Sequence, residues 1–280
     1  MLSLIMAEKK DFIFPGWDFT PLYNYIDKCI ALYKDVREVY QYTSVDALYK
    51  GMVRPQEDGS VDLCLLSTNC QYLNDFNEIQ YGKDVVDTVI FSHLKEGGEG
   101  FKSITNLDHI YLSSFSTEVN HLPMWSMYGK EGKGIALGFD VRQLLSDKRP
   151  IYRCIYDYIE FRYEIQQAVF LSRKKENKAG NEPVKFSRYI SILHELIKHH
   201  CYEYEQEYRL IVETDEKPKY RNSGGVIVPF VENHFPASAL RTIIIGPRND
   251  SALVVKSIKD WLHSIGLDSV NVVPSDLPFR

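Results

Sequence analysis

Two glutamates and an arginine stand close together at Glu205-Gln206-Glu207-Tyr208-Arg209, where a helical pattern gives way to a strand pattern. Alternate side chains of an extended strand share a face, so Glu205, Glu207 and Arg209 are predicted to project to one side. Burying such charges costs free energy unless they pair or take part in chemistry. Neighbouring carboxylates also have separated pKa values, which suits acid–base chemistry or stabilisation of a cation. The spacing equally allows an edge strand whose charges face water.

A second polar feature ends the segment Ile110–Ser116, which the sequence predicts to be a strand. Ser114 and Ser116 follow Ile110 and Leu112 on the same face, so a buried apolar row becomes polar at its end. Hydroxyls at a strand end often line a cleft, with Phe115 between them pointing the other way. Such hydroxyls are also common at strand ends that have no binding role, so a cleft-lining role and a purely structural role both stay open.

Three short segments add further polar and aromatic groups. Val39–Tyr42 is predicted to be a strand that places Tyr40 and Tyr42 on one face. Asn74–Glu78 is typical of a turn at the start of a helix, since Asn and Asp side chains bond their own backbone. Met124–Tyr128 is predicted to be a short helix whose side chains, including Trp125, pack in a core.

No metal site is predicted. His194 and His199 are five residues apart, about 140° around a helix of 3.6 residues per turn, so they cannot bind one ion from a regular helix. The sequence favours a partly exposed helix face, with Glu195 and His199 as an i,i+4 pair. Gly129–Gly134 lacks the spacing of a phosphate-binding loop and is predicted to form a tight polar turn.

Composition indicates an ordinary globular protein. The 280 residues are 44% apolar and 25% charged, with a net charge of −5 that argues against a polyanion-binding surface over the whole molecule. The 19 tyrosines suit half-buried strands and polar clefts. Five scattered cysteines without a C-x-x-C pair are typical of reduced intracellular thiols. Because neither a signal peptide nor a membrane-spanning stretch is recognisable, we expect a cytoplasmic protein that does not interact with membranes.

The predicted fold class is α+β, with mixed, mostly antiparallel sheets and no regular β-α-β alternation. Residues 1–38 are predicted to be an N-terminal helical extension, whose helix begins at Thr20-Pro21. Residues 39–280 are predicted to form a single domain. The remaining predicted helices are Val45–Lys50, Ser187–Tyr204 and one from about Leu253 to Ile265. The remaining predicted strands are Val61–Leu65, Gly134–Phe139, Ile151–Phe161, Tyr208–Val212, Val226–Val231, Thr242–Ile245 and Val270–Val273. The stretch Arg173–Arg188 is basic and is predicted to be an exposed loop.

Taken in order, seven short motifs resemble those of the bacterial domain of unknown function 2971 family, over about residue 39 to the C-terminus. They are Tyr40–Thr43, Asn74–Glu78, Ser114–Ser116, Met124–Tyr128, Gly134–Asp140, Glu205–Arg209 and Ile243–Gly246. The chain departs from that family at Phe76, where a proline is usual. The family implies no activity by itself.

The same order of motifs is similar, more loosely, to that of NAD-dependent ADP-ribosyltransferases, in which two small sheets form a cleft that binds NAD. This likeness implies that Glu207 is the catalytic carboxylate and that Glu205 assists it. It also implies a binding site that includes Arg209, Asn74, Asp75, Trp125 and Tyr128. The Ser114-Phe115-Ser116 strand end frames the cleft, and Tyr40-Gln41-Tyr42-Thr43 contacts the nicotinamide or its ribose. Gln41 departs from the usual His or Arg, and Arg209 is close enough to neutralise Glu207.

Three functions follow as expectations. One is an ADP-ribosyltransferase or NAD glycohydrolase with NAD as substrate, acting as an effector in a bacterial defence or toxin system. Another is a non-catalytic regulatory protein that binds a nucleotide or other small ligand, with Glu205–Arg209 as a structural network of ion pairs. The third is an effector directed at nucleic acid through the Arg173–Arg188 loop, possible in antiviral defence, although such loops are usually solvated.

Overall fold

The computed structural model describes residues 20–21, 24–25, 36–73, 78–91, 107–145, 150–156, 159, 161–164, 166–167, 183–249 and 251–278. The predicted N-terminal helical extension lies largely outside these residues, although Thr20, Pro21, Asn24 and Tyr25 are helical. Asn74 and Asp75 also lie outside them, as do residues 173–182 of the predicted basic loop.

The described strands form one continuous, largely antiparallel sheet, so the predicted mixed α+β class is confirmed at that level. Their order is β11-β10-β5-β1-β4-β3-β9-β8, with β2 on β3, β7 on β4 and β6 on β7. Only β10 and β11 run parallel among these pairs. The strands are β1 Glu38–Thr43, β2 Val53–Pro55, β3 Val61–Asn69, β4 Ile110–Ser116, β5 Ile135–Asp140, β6 Ile151–Arg153, β7 Glu207–Glu213, β8 Lys219–Ser223, β9 Val226–Pro236, β10 Leu240–Ile245 and β11 Asn271–Pro274.

Helices cover parts of the sheet and supply the rest of the core. The described α-helices are α1 Val45–Ala47, α2 Glu78–Val86, α3 Leu122–Met127, α4 Val141–Leu144, α5 Pro183–Leu196 and α6 Ser251–Ser264. Short π turns follow α1 and α2 at Leu48–Met52 and Asp87–Phe91, and 3₁₀ turns span Cys70–Tyr72, Leu107–His109, His200–Glu205 and Ala237–Ala239. In the part of the chain that is described, none of these helices is long and apolar enough to cross a membrane.

The sheet separates two main apolar cores. One face of β1, β5 and β10 packs with α6, whose Ile258 and Leu262 are almost fully buried. The opposite face of β4 and β7 packs against α2 and α5. The predicted central strand at Gly134–Phe139 is confirmed as β5, between β1 and β10. A Cβ at Gly138 would overlap the present position of the Glu38 carboxylate, so glycine lets that side chain lie across β5.

A fork in the sheet leaves one edge of β4 partly unpaired. β4 pairs along its whole length with β7, from Ile110 to Ser116. On its other edge, β1 pairs with β4 at Ser116, and β3 pairs with it at Leu112 and Tyr111. Between these two contacts, β1 and β3 diverge. The gap is closed on one face by the core that β1 and β3 share, because Val39 and Leu63 belong to the same buried cluster.

One predicted strand and one predicted helix are longer than the structure shows, because the strand ends at residue 153 and the helix at residue 196. The predicted strand Ile151–Phe161 ends at Arg153, because Ile155 instead forms an isolated bridge with Ile197, and Ile159 and Phe161 are helical. The predicted helix Ser187–Tyr204 begins earlier, with Pro183 at its first position, and ends at Leu196.

The early end of α5 has a local cause. The Lys198 N–H donates to the Ile155 carbonyl at 3.0 Å, so it does not continue the helical hydrogen bonds. His199 then accepts a hydrogen bond from the Cys201 N–H and caps a separate 3₁₀ turn. The predicted exposed loop is also wrong at its end, since residues 183–188 belong to α5.

Candidate functional site

A cavity of about 580 Å³ opens at the fork. Its walls come from β1, β3, β4, α3, the 3₁₀ turn before β7, and the β8–β9 hairpin. It brings together eleven of the fourteen residues singled out in the sequence: Tyr40, Gln41, Tyr42, Thr43, Ser114, Phe115, Ser116, Tyr128, Glu205, Glu207 and Arg209. Of the other three, Asn74 and Asp75 are outside the described residues.

The remaining residue, Trp125, lies behind the cavity wall. It is fully buried, and its Nε1 donates to Asn120 Oδ1 at 3.2 Å. The Tyr42 ring meets it edge-on, with ring centroids 4.9 Å apart. Trp125 therefore supports Tyr42 and does not line the space that a ligand would fill, in agreement with the core packing expected for it.

A left-handed residue places the two glutamates of the E-x-E motif. The 3₁₀ turn ends at Glu205, Gln206 has φ 41°, and β7 begins at Glu207. The Ser116 hydroxyl donates to the Glu205 carbonyl at 2.5 Å, and the Glu207 N–H donates to the Tyr156 hydroxyl at 2.8 Å. The turn is thus fastened to the end of β4.

These charges are buried, so the alternative of an edge strand facing water is wrong. Glu205, Glu207 and Arg209 are between 1% and 4% exposed, and β7 is paired on both sides by β4 and β6. Arg209 Nε and Nη2 donate to the two oxygens of Glu207, each at 2.9 Å. The same guanidinium also pairs with Glu78.

Lys198 is the second cation of this cluster, and no sequence pattern predicts it as a residue of the site. Its Nζ lies 2.7 Å from Glu207 Oε2 and also pairs with Glu205 Oε2. Glu78 Oε1 is 3.6 Å from the same nitrogen, and the Tyr202 ring centroid is 5.0 Å away. We call Glu78, Lys198, Glu205, Glu207 and Arg209 the ion cluster.

The ion cluster contains three carboxylates and two cations. Burial alone would raise the pKa of Glu207, but Arg209 and Lys198 outweigh it and lower that pKa to about 2. Burial likewise opposes the charge of Lys198, but Glu207 and Glu78 raise its pKa overall. Burial raises the pKa of Glu78 above its ordinary value, although Arg209 partly offsets this. Glu207 is therefore a fixed anion, and Glu78 holds a proton more readily than Glu207 does.

Hydroxyl groups complete the wall around Glu205. The Tyr128 hydroxyl donates to Glu205 Oε1 at 2.8 Å, and the Tyr42 hydroxyl donates to the Glu118 carbonyl at 2.7 Å. Burial raises the pKa of both tyrosines, and that of Tyr40 rises to about 12 for the same reason. All three phenols therefore remain neutral and can donate hydrogen bonds at neutral pH. Ser114 is the exposed residue of β4 and presents its hydroxyl to the cavity.

The helix that carries Lys198 differs from its prediction. Glu195 does not form an exposed pair with His199, because Glu195 is fully buried and His194 is 1% exposed. The Cys70 thiol lies beside the Glu195 carboxyl group, yet neither carboxyl oxygen accepts a hydrogen bond of normal geometry from the described residues. Burial raises the pKa of Glu195 to about 8, so this group is mostly protonated at neutral pH.

Among the described residues, one group of side chains outside the cavity has donor atoms close enough for a metal ion. The donor atoms of Cys64, Glu232 and His234 lie within 4.8 Å of one another. Glu232 is already paired with Arg54 at 2.9 Å and with Lys219 at 2.6 Å, so two cations compete for the same carboxylate. We therefore assign no metal to this group.

Comparison with known proteins gives one family. Residues 124–210 match the model of a family described as "Protein of unknown function (DUF2971)", which supports the resemblance over that segment. Three of the seven motifs fall within it: Met124–Tyr128, Gly134–Asp140 and Glu205–Arg209. No curated protein and no solved structure matches the chain. Nothing in these comparisons supports the likeness to ADP-ribosyltransferases.

Proposed function

We propose that the protein binds NAD in the fork cavity and breaks the bond between nicotinamide and ribose. The observation that carries this proposal is the meeting, in one cavity, of the Ser114–Ser116 strand end, the tyrosines of β1 and the E-x-E glutamates. ADP-ribose then passes to water or to another acceptor. The protein is in this view an NAD glycohydrolase or an ADP-ribosyltransferase.

The fork supports the proposal at the level of architecture. The likeness to ADP-ribosyltransferases implies a cleft between two small sheets, and this chain has one connected sheet. Where β1 and β3 diverge from β4, however, the two branches enclose a space within that sheet. Polar side chains are available in it to hold an elongated, polar ligand.

The chemistry requires a fixed negative charge beside the ribose. As the carbon–nitrogen bond breaks, its electron pair leaves with nicotinamide, and positive charge develops on the ribose. A preorganised carboxylate in a water-poor site stabilises such charge more effectively than water does. The acceptor oxygen then forms the new bond to the same carbon and loses its proton.

Glu205 is better placed for this role than Glu207. Glu207 is held by three charge-assisted contacts from Arg209 and Lys198, which offset much of its charge. Glu205 shares Lys198, and the other contacts of its carboxylate are with neutral phenols, including a hydrogen bond from Tyr128. We therefore assign charge stabilisation to Glu205 and its orientation to Glu207, Lys198 and Tyr128. Gln41 offers a neutral amide to the nicotinamide.

Release of free nicotinamide tests the proposal. Purified protein is incubated with NAD in water, with cell lysate and with nucleic acid, and nicotinamide is measured by chromatography. We expect release by the wild type and a loss of about 100-fold or more in Glu205→Gln. Glu57→Gln, an exposed change far from the cavity lining, should have no effect. No release by the wild type under any of these conditions would remove the proposal.

The second candidate is a binding protein without turnover, and the completeness of the ion cluster favours it. All three carboxylates of the cluster already have charged partners, as expected of a structural network. Thermal denaturation with NAD and other nucleotides separates the two functions. A stabilised protein that releases no nicotinamide would be a nucleotide-binding module.

A further inference from the structure

The cavity wall has charged residues in two places. Its buried end is the ion cluster, in which carboxylates outnumber cations by three to two. Its exposed end includes the β8–β9 hairpin, where all five residues of β8 are exposed. Arg221 lies on that strand and lines the cavity. A ligand that spans the cavity therefore meets the ion cluster in one part of the wall and Arg221 in another.

Arg221 has no carboxylate partner among the described residues. Its Nη2 donates to the Thr68 hydroxyl at 2.9 Å, and no described acid forms an ion pair with it. Burial lowers its pKa below the ordinary value, and no neighbouring acid offsets this. Lys219, two residues earlier on the same strand, instead pairs with Glu232 at 2.6 Å.

The surroundings of Arg221 suit a phosphate group. Thr68 of β3, two strands away from β8 in the sheet, holds one nitrogen of the guanidinium, so its donor groups are oriented before a ligand arrives. Ser114 and Ser223 also line the cavity and add hydroxyl donors. An arginine presents several donors in a plane that matches the oxygens of phosphate.

We infer that Arg221 binds a phosphate group of the ligand, so that the cavity selects nucleotides over nucleosides. This inference rests on the proposed function in one respect: it takes the glycosidic bond to lie at the ion cluster. The phosphates then extend toward the hairpin. Tyr72, which also lines the cavity and is 45% exposed, offers a ring against which a base or sugar can pack.

Kinetics with two substrates tests the role of Arg221. NAD carries the two phosphates, and nicotinamide riboside has the same glycosidic bond without them. We expect Arg221→Gln to raise the KM for NAD about tenfold to hundredfold with little change in kcat, as for loss of a charged hydrogen bond. The kcat/KM for nicotinamide riboside should not change. Arg221→Lys should recover part of the loss, and Lys219→Gln should behave as the wild type.

Calorimetric binding of ADP-ribose separates this inference from the proposed function. If the wild type releases no nicotinamide but binds ADP-ribose, and Arg221→Gln weakens that binding tenfold or more, the inference stands and the proposed function falls. If Arg221→Gln affects NAD and nicotinamide riboside equally, the inference is overturned while the function survives. Binding of ADP-ribose that is equal in both proteins, or absent from the wild type, also overturns it.

Discussion

Replacing Glu195 with glutamine should make the protein more stable at alkaline pH. Glu195 is fully buried at the end of α5, and its carboxyl oxygens accept no hydrogen bond of normal geometry from the described residues. The backbone carbonyl of the same residue accepts from Arg209 Nη1 at 2.5 Å, a contact that glutamine keeps. The substitution therefore removes an ionisable group and little else.

The magnitude follows from the pKa of this carboxyl group, which burial raises from 4.5 to about 8. Between these two pH values the folded protein binds more protons than the unfolded chain, so stability falls as pH rises. The contribution is intact below about pH 4.5 and is lost by about pH 8. At about 1.4 kcal/mol per pH unit, the wild type loses about 3 kcal/mol between pH 5.5 and pH 8 that the variant does not lose.

Urea denaturation of both proteins at several pH values measures this difference. We expect the difference between the free energies of unfolding of Glu195→Gln and the wild type to grow in favour of the variant by about 3 kcal/mol from about pH 5.5 to about pH 8. Taking the difference at each pH cancels the other titrating groups, which the two proteins share. Glu57→Gln, an exposed change, should follow the wild type at every pH.

A parallel pH dependence of the two proteins would refute the reasoning. It would mean that the Glu195 carboxyl group ionises in the folded state with an ordinary pKa. A variant less stable than the wild type at every pH would point to a specific hydrogen bond that only the acid can make.

Three further changes test other contacts. Lys198→Met should lower the free energy of unfolding by about 3–5 kcal/mol in urea denaturation, because it leaves buried carboxylates without their shared cation; a loss below about 1 kcal/mol would show that the ion cluster is open to water. Gly82→Ala should destabilise by about 1–3 kcal/mol in thermal denaturation, because a Cβ there would overlap a backbone carbonyl of α5, whereas Gly51→Ala meets open space and should be neutral. Among the described thiols, alkylation of the native protein followed by peptide mass spectrometry should modify Cys201 first, since it is exposed; early modification of the buried thiols would contradict the packing around Cys64, Cys70 and Cys154.

The strands were the most predictable part of the fold. Ile110–Ser116 was predicted with the same bounds, because its apolar row and its polar end both follow the pleat. The short strand Val53–Pro55 and the exposed strand Lys219–Ser223 were missed, since neither has a run of apolar residues. Their existence depends on the partner strands β3 and β9.

The charged residues of the site were only half predictable. Glu205, Glu207 and Arg209 stand out because a charged triplet enters a strand. Lys198 and Glu78 join them through tertiary contacts that no local spacing encodes. The sequence predicts a partly exposed helix face at Glu195, but the helix ends at Leu196 and both Glu195 and Lys198 are buried. Arg221 has no signal in the sequence, because its place in the cavity wall depends on how the β8–β9 hairpin packs in the sheet.

The fork also determines which parts of the sheet a bound molecule would contact. The branch through β1 leads by way of β5 and β10 to β11, and the branch through β3 leads by way of β9 to β8, so the two arms end at opposite margins of the sheet. A molecule bound between the two arms would contact both at once, and this contact would require neither a hinge motion nor a closing loop. Because β8 itself lines the cavity, a molecule bound there would touch one margin of the sheet directly and reach the other only through β1, β5 and β10.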